Sequence, residues 1–275
     1  SDVCSSDLWR LSNESWMKNS GFDDLTLSAS MSNLKTDLGI DNYYMYLATY
    51  QSGGWRDWNG GTGHSAEQSK RGGNPDLNYL ARKEFSVNLH GAVLNNSLSF
   101  DASYFVSKMT GGILLARNQM PSYFYSYYPE SSFVPYINYN EDKRTGFDAA
   151  VNYRKQMGDW FVGAGLNLTY YTTKATKRDD TNYADAYQYR QGKPLDAIWG
   201  YQCLGFFKDE DDIANSPKQV IGGEIKPGDL KYVDQNNDGK IDSKDMVNLG
   251  KGGWYGAPTT LGLNVTLKYK NLTLF

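Results

Sequence analysis

The 275-residue chain is poor in the residues that build several protein classes. Its only cysteines, Cys4 and Cys203, supply neither a disulfide scaffold nor a CxxC metal pair. No apolar run approaches the ~20 residues of a membrane helix, which excludes a helical membrane protein. The formal net charge of −3, from 28 basic and 31 acidic residues, gives no electrostatic reason to bind nucleic acid. We therefore expect no nucleic-acid partner.

Enzyme signatures are also missing. The only histidines, His64 and His90, belong to no HExxH motif, and the chain contains neither a GxSxG elbow nor a Walker loop. Acidic pairs such as Asp179-Asp180 are better explained as solvated loop charges than as a catalytic acid and base. The sequence predicts that the protein is not an enzyme. A β-rich hydrolase would need a carboxylate pair at a suitable separation in a cleft.

Tyrosine and glycine are abundant instead, with 22 and 28 residues. Apolar and polar residues alternate in several stretches, which is typical of a strand with two different faces. An eighth strand begins after a turn at Lys270-Asn271. The sequence predicts an all-β, antiparallel protein of about seven or eight strands. The seven stretches with strand signals are 25–32, 43–50 (with aromatics on both faces), 85–93, 97–106, 147–154, 160–170 and 261–269.

The polar faces of these strands consist of Ser, Thr, Asn, Gly and Asp rather than Lys and Glu. Small polar residues inside and apolar ones outside are typical of a transmembrane β-barrel. A soluble β-sandwich with the apolar face turned inward has the same alternation. Connection lengths favour the barrel, because short turns at one rim and long extracellular loops at the other are the outer-membrane pattern. The long loops are 51–78, 111–143 and 172–257.

One stretch, 234–245, matches the template of a calcium-binding loop. Oxygen-bearing residues fall at alternate positions around Gly239, which can make the sharp turn that the template requires. Calcium is the one cofactor that the sequence indicates. The alternative is an Asx-rich turn without metal. The candidate metal ligands are Asp234, Asn236, Asp238, the Lys240 carbonyl, Asp242 and Asp245.

Aromatic residues cluster in two of the long loops. Exposed rings beside polar loops can stack on sugar faces or anchor a partner protein. The alternative is that they form an aromatic girdle at a membrane interface or pack the loops together. The candidate substrate-binding residues are Trp55, Trp58, Tyr123, Tyr125 and Tyr127.

A series of motifs then carries a family resemblance. It runs from Gly192-Lys-Pro-Leu-Asp-Ala-Ile-Trp-Gly-Tyr201 through Gly205-Phe-Phe207, Asn215-Ser-Pro217 and Pro227-Gly-Asp-Leu-Lys-Tyr232 to the Asp-rich loop. Together these motifs resemble the SusC/RagA branch of TonB-dependent outer-membrane transporters. Two positions depart from the family pattern. Asn237 replaces the usual Gly at the fourth loop position, and residues 252–258 replace an Asn-Pro-rich approach to the next strand.

The resemblance implies a barrel of about 22 strands closed around an N-terminal plug. Residues 9–275 would be a partial barrel from the C-terminal half, while residues 1–8 look like a non-native scar. The implied function is import of glycan oligosaccharides, or of peptides, across the bacterial outer membrane. The implied partners are a SusD-like surface lipoprotein, the TonB complex acting through the missing plug, and outer-membrane lipid. The alternative is a secreted, calcium-stabilised β-sandwich that binds carbohydrate.

Overall fold

The computed structural model describes residues 3–58, 60–127, 130–252 and 257–274. The chain divides into two compact units. The first comprises Ser1–Asp179 and Ala257–Phe275, and the second comprises Asp180–Gly256. Among the described residues, no helix has both the length and the apolar character to span a membrane.

Most of the chain is β-structure, and the helices are short. Apart from one α-helix, α1 (Glu210–Ala214), they are single 3₁₀ turns at Leu11–Asn13, Ser15–Met17, Ser122–Phe124, Ala186–Gln188 and Ser243–Asp245. In chain order the strands are β1 (Val3–Arg10), β2 (Phe22–Thr36), β3 (Thr49–Trp58), β4 (Thr62–Arg71), β5 (Leu80–Val93), β6 (Leu98–Leu115), β7 (Tyr125–Tyr127), β8 (Glu130–Ser132), β9 (Tyr136–Met157), β10 (Trp160–Lys177), β11 (Ala197–Tyr201), β12 (Cys203–Phe206), β13 (Lys218–Gln219), β14 (Leu230–Tyr232), β15 (Lys240–Ile241), β16 (Met246–Lys251), β17 (Thr259–Tyr269) and β18 (Leu272–Leu274).

Eight strands of the first unit form one antiparallel sheet in the order β1-β2-β5-β6-β9-β10-β17-β18. The prediction of an all-β, antiparallel fold with seven or eight strands is confirmed. Five of the predicted stretches lie inside these strands, and a sixth, 97–106, begins one residue before β6. The strands extend further than the alternation indicates. Strand β9, for example, runs over 136–157 where alternation marks only 147–154.

The predicted strand at 43–50 is wrong. Residues 43–46 form turns, and β3 begins only at Thr49. The Asn42 side chain accepts a hydrogen bond from the Tyr44 amide (2.9 Å), which closes a local turn where the prediction placed extended backbone. The edge strand β1 pairs with β2 from Val3 to Arg10 and was not predicted. That residues 1–8 are a non-native scar stays a prediction.

The two faces of the main sheet differ in chemistry. Leu27, Leu89 and Ala102 lie in register across three adjacent strands, so the apolar residues of neighbouring strands share one face. Large side chains on this face are open to the surroundings; Leu263 is 75% exposed. The described residues contain no second large sheet that could cover this face, because the remaining sheets have two strands each. The other exposed members of this face include Met31, Phe85, Tyr104, Phe147, Val151, Leu166, Leu261 and Val265.

The opposite face is held by side-chain hydrogen bonds between strands. Ser28, Asn88, Ser103, Asp148 and Thr169 form one register row across β2, β5, β6, β9 and β10. Asn88 donates to the Ser28 hydroxyl (3.3 Å) and accepts from Ser103. Thr169 donates to the Asp148 carboxylate (2.7 Å). Small polar residues therefore pair along this face, as the sequence predicts.

Short turns connect the sheet strands at one end. Strand β9 passes to β10 through Gly158-Asp159, where Gly158 has a left-handed φ of 60°. Between β5 and β6, the residues Leu94, Asn95 and Asn96 all have left-handed φ values, from 53° to 59°. The other end of the sheet carries the long connections β2–β5, β6–β9 and β10–β17. This asymmetry positions the candidate site described below.

The long connections contain structure of their own. Strands β3 and β4 form a hairpin within the β2–β5 connection, and β7 and β8 form another within the β6–β9 connection. The Ser69 hydroxyl of β4 donates to the Ser132 carbonyl of β8 (2.6 Å), so the two hairpins contact each other. The loops expected at 51–78 and 111–143 thus include ordered β-structure.

The second unit, 180–256, contains three two-stranded sheets, β11-β16, β12-β14 and β13-β15. Its interior includes Ile241 and Asp245, both fully buried, and Phe207, which is nearly so. Helix α1 begins after Asp209, whose side chain accepts a hydrogen bond from the Asp212 amide (2.8 Å). This N-cap stabilises a helix that is otherwise too short to be stable alone.

Candidate functional site

The candidate site in the first unit is a cleft of about 420 Å³ at the long-connection end of the main sheet. Segment 37–46, which follows β2, forms one wall, and segment 77–79, which precedes β5, forms the other. Three tyrosines, Tyr43, Tyr46 and Tyr79, supply ring faces. The polar groups of the cleft come from Asp37, Asp41, Asn42 and Asn78.

Local turn chemistry shapes the first wall. The Met45 amide donates to the Asn42 carbonyl (3.2 Å), and the Met45 side chain is buried, which fixes the turn to the protein. The Asn74 amide donates to the Tyr46 carbonyl (2.8 Å), so the segment before β5 holds the end of this wall. Tyr43 projects outward and is 92% exposed, so its ring is free to contact a ligand.

The second wall is attached to the sheet by Asn138 of β9. Its side-chain oxygen accepts from the Asn78 amide (2.8 Å), and its side-chain nitrogen donates to the Asn78 carbonyl (2.7 Å). The same nitrogen donates to the carbonyl of Gly111 in β6 (2.8 Å). A residue 60 positions away in sequence thereby sets the position of Tyr79.

This combination of groups suits a hydroxyl-rich ligand. Exposed tyrosine faces can stack on the apolar face of a sugar ring, while carboxylate and amide groups accept and donate hydrogen bonds to hydroxyls. The sequence prediction did not include these tyrosines as binding residues, and it placed Tyr43 and Tyr46 in a strand over 43–50. The signal that could have identified them is Asp41-Asn42 before the tyrosines, which favours a turn.

The predicted substrate-binding aromatics lie elsewhere. Trp55, in β3, is 75% exposed and lies against Gly63 of β4. Tyr123 is exposed and contacts the Phe124 ring, with centroids 5.2 Å apart, and Tyr125 begins β7. Trp58 and Tyr127 occupy strand positions, but their side chains lie outside the described part of the structure. None of the three described side chains lines the tyrosine cleft, and a role in substrate binding stays a prediction for all five residues.

A second cavity, of about 230 Å³, is lined by the β3–β4 hairpin, the end of β6 and residues 132–136. Lys70, Arg71 and Arg117 line it, and none of its described lining residues is acidic. Arg71 is held in place because it donates to the Tyr44 and Leu47 carbonyls (3.3 Å each). This cavity can receive a carboxylate or another anion.

The Asp-rich loop, 234–245, folds as a set of side-chain to backbone hydrogen bonds. Asp234 accepts from the Gly239 amide (2.8 Å), and Asp238 accepts from the Lys240 amide (3.0 Å). Gly239 and Asn237 have left-handed φ values of 80° and 57°, so Asn237 does adopt the geometry expected of a glycine substitute. The loop is thus closed at its first half by its own amides.

The second half of the loop is anchored by a buried carboxylate. Asp245 has no exposed surface, and it accepts from the amides of Gln235 and Asp242 (2.8 Å each). Asp242 in turn accepts from the Lys244 amide (2.7 Å). Asp242 and Asp245 also form a capping box around the 3₁₀ turn, in which each side chain accepts from the backbone amide of the other. Asp245 therefore joins the start of the loop to its end.

The loop has the oxygen ligands of a calcium site, but these oxygens are not arranged around one point. Four carboxylates and an amide oxygen are the donors that calcium prefers. As placed, however, the acidic side chains bond the loop amides, and no group of three or more Asp, Glu, His or Cys residues converges as a metal site anywhere in the described ranges. Calcium binding there stays a prediction.

Tyr187 connects the 3₁₀ turn at 186–188 to the Asp-rich loop. Its hydroxyl donates to the Lys244 carbonyl (2.9 Å). Burial, followed by the nearby carboxylates of Asp185 and Asp245, raises the pKa of Tyr187 to about 12. Burial and the carboxylates of Asp242 and Asp245 also raise the pKa of Tyr201. Both phenols therefore keep their protons to higher pH than a free tyrosine, and that of Tyr187 donates to the loop backbone.

No protein-family model matches the chain, and no curated protein matches it either. Solved structures do match. The RagAB peptide transporter is 19% identical, with a TM-score of 0.65, over 99% of this chain and 28% of that chain. The RagAB peptide importer in the "open-open" state is 19% identical, with a TM-score of 0.68, over 98% of this chain and 27% of that chain. The chain thus spans little more than a quarter of these transporter chains, and it shares the fold of that part.

Proposed function

We propose that this chain is part of a SusC-like, TonB-dependent transporter of the bacterial outer membrane. The observation that carries the proposal is the uncovered apolar face of the eight-stranded sheet, with exposed residues such as Leu261 and Leu263. Lipid would cover this face, because an aqueous surface so rich in large apolar side chains is unfavourable. The hydrogen-bonded polar face would line the lumen.

We propose a glycan substrate because the rings and polar groups of the tyrosine cleft suit oligosaccharides. Peptide import is the second candidate, favoured by the basic cavity around Arg71 and by the similarity to the RagAB peptide transporter. A peptide has a terminal carboxylate that the cavity could receive, whereas a neutral glycan does not. The chain would perform no covalent chemistry.

The proposed partners follow from the same placement. A SusD-like surface lipoprotein would act at the long-connection end, where the cleft lies, and the TonB complex would act through a plug that belongs to the remainder of the transporter. The β-sandwich alternative is less well supported, because a sandwich buries its apolar face under a second sheet.

Electrophoretic mobility of the full-length parent protein, extracted in detergent, tests the proposal. An intact barrel migrates faster before heating than after it, because the unheated barrel resists unfolding by the denaturing detergent. An unchanged band would contradict the barrel assignment. Glycan-array and short-peptide binding by the same preparation would then decide between the two substrate classes.

A further inference from the structure

A row of four lysines crosses the main sheet just beyond its apolar band. Lys83 of β5 lies opposite Lys108 of β6, Lys108 opposite Lys143 of β9, and Lys143 opposite Lys174 of β10. Pairing in this region is regular, so all four occupy the face that carries the apolar residues. All four side chains are exposed.

Like charges placed directly opposite each other on adjacent strands are destabilising. Neighbouring strands are only about 4.8 Å apart, so the four lysines follow one another at that interval across the sheet. The protein compensates for one of them, since Lys108 forms an ion pair with Glu141 (2.8 Å). Within the described ranges, Lys83, Lys143 and Lys174 form no ion pair. The row therefore retains a concentrated positive charge.

Acidic residues nearby do not neutralise this row. Glu84 and Asp142 are each one residue away from a lysine of the row, so they fall on the opposite face of their strands. There they pair with Arg82 and Arg178 respectively. The two faces thus differ in electrostatics as well as in apolar character at this level of the sheet.

The position of the row indicates its ligand. Phe85, on the apolar face of β5, lies two residues from Lys83, which is about 7 Å along the strand towards the short-turn end. Tyr104 and Phe147 lie further in the same direction on β6 and β9. A bilayer that covers these rings would place its headgroups at the lysines, and the flexible lysine stems would let the ammonium groups reach them.

We propose that Lys83, Lys108, Lys143 and Lys174 form a binding surface for phosphate-bearing lipid headgroups, in the leaflet at the long-connection end of the sheet. This inference rests on the proposed function, in which the apolar face contacts lipid. A row of cations spaced by strand pairing matches a layer of anionic headgroups, and an external anion relieves the repulsion that the sheet leaves uncompensated.

The test compares lipid retention by the full-length parent protein in nanodiscs of phosphatidylcholine with and without phosphatidic acid. Native mass spectrometry counts the lipids that remain bound. Wild-type protein is expected to retain phosphatidic acid preferentially. In the variant with all four lysines changed to Gln, this preference is expected to fall by more than about tenfold, because one lysine near an anionic surface contributes about fivefold.

The matched control changes four exposed lysines that lie off the apolar face of the main sheet, Lys208, Lys218, Lys226 and Lys268, to Gln. This control and a Lys→Arg variant of the row should both keep the preference. Equal losses in the row and control variants would overturn the proposal, and so would an unchanged preference in the row variant. If the fourfold Gln variant misfolds, the double variant Lys83→Gln/Lys143→Gln, which breaks no observed ion pair, gives the same readout.

Two further outcomes separate the possible sources of failure. Excess inorganic phosphate should not displace the retained phosphatidic acid; complete displacement would show a free-anion site and overturn the lipid assignment. Failure of the wild-type protein to enter neutral nanodiscs would contradict the membrane placement itself, and with it the proposed function. Entry into neutral nanodiscs without phosphatidic acid preference would overturn only the present inference.

Discussion

The side chain of Asn138 forms two reciprocal hydrogen bonds with the backbone of Asn78, accepting from its amide (2.8 Å) and donating to its carbonyl (2.7 Å). This pair fastens a wall of the tyrosine cleft to a long strand of the main sheet. A loop that would otherwise depend on local turns is thereby held by the most extensive β-structure in the chain.

The variant Asn138→Asp tests this attachment. A carboxylate keeps the acceptor for the Asn78 amide but loses the donor for the carbonyls of Asn78 and Gly111. Each lost hydrogen bond contributes about 1 kcal/mol, so we expect a destabilisation of the cleft of about 2 kcal/mol. Hydrogen exchange of amides 77–79 should accelerate while the amides of β10 remain protected. Unchanged exchange at 77–79 would contradict the attachment.

The tyrosines of the cleft should contribute to substrate binding. Tyr43→Ala and Tyr79→Ala each remove an exposed ring, and we expect glycan-array binding by the parent protein to weaken by about fivefold or more per ring, on the scale of an aromatic contact. The matched variants Tyr43→Phe and Tyr79→Phe retain the ring and should bind nearly as well. Equal binding by the Ala and Phe variants would exclude ring stacking.

The same assay examines the earlier candidates, Trp55 and Tyr123. If they form a second contact area, Trp55→Ala and Tyr123→Ala will also weaken binding. If only the cleft binds ligand, these variants will resemble the wild type. The result would decide which of the two sets of aromatic residues binds substrate.

Tyr187→Phe should change how stability depends on pH. The phenol ionises near pH 10 in the unfolded chain but only near pH 12 in the folded protein. The folded state therefore holds its proton longer, so stability from this group is complete below pH 10 and is lost as the pH rises through about 12. The Phe variant should lose less stability between about pH 10 and pH 12, as measured by urea unfolding followed at the second unit.

At neutral pH the same variant should be less stable by about 1 kcal/mol, because the bond to the Lys244 carbonyl is lost. Tyr189→Phe is the control, since it also removes a hydroxyl bond, to the Tyr183 carbonyl (3.0 Å). An alkaline profile identical to that of the wild type would contradict the role of the Tyr187 phenol.

Calcium binding at the Asp-rich loop predicts a metal-dependent stability. Calcium at 100-fold its Kd would stabilise the parent protein by about 2.7 kcal/mol, and chelator would reverse the effect. Asp238→Ala should abolish the response, whereas Asp211→Ala, outside the loop, should keep it. Absence of any response to chelator in the wild type would remove the calcium proposal and leave the hydrogen-bonded turn as the explanation of the motif.

Alternation identified the main strands because each has one apolar and one polar face. Residues 160–170 and 261–269 alternate regularly and pair in the structure from Trp160–Tyr269 to Tyr170–Thr259. Alternation did not indicate where strands continue past the apolar band. Lys143 and Lys174 belong to strands, but the charged stretches around them have no apolar period, so their ends were expected to be loops.

The number of strands in the main sheet agrees with the prediction, although the strands are not all the predicted ones. Segment 43–50 was counted and is not in the main sheet, whereas β1 was not counted and is. Aromatic residues on both faces gave 43–50 a high strand propensity, but propensity depends on context, and the Asn42 turn prevails over it here. The cleft itself could not be predicted, since its second wall depends on Asn138, a contact across 60 residues.

Strands β10 and β17 remain paired up to Tyr170 and Thr259, and the Tyr171 amide donates to the Pro258 carbonyl (2.9 Å). The chain thus leaves the sheet for residues 180–256 and returns to the adjacent strand. Because the register of this pair uses no residue of the excursion, a short hairpin loop could replace it without moving the sheet. Residues 180–256 are therefore a module that could be exchanged while the paired strands keep their register.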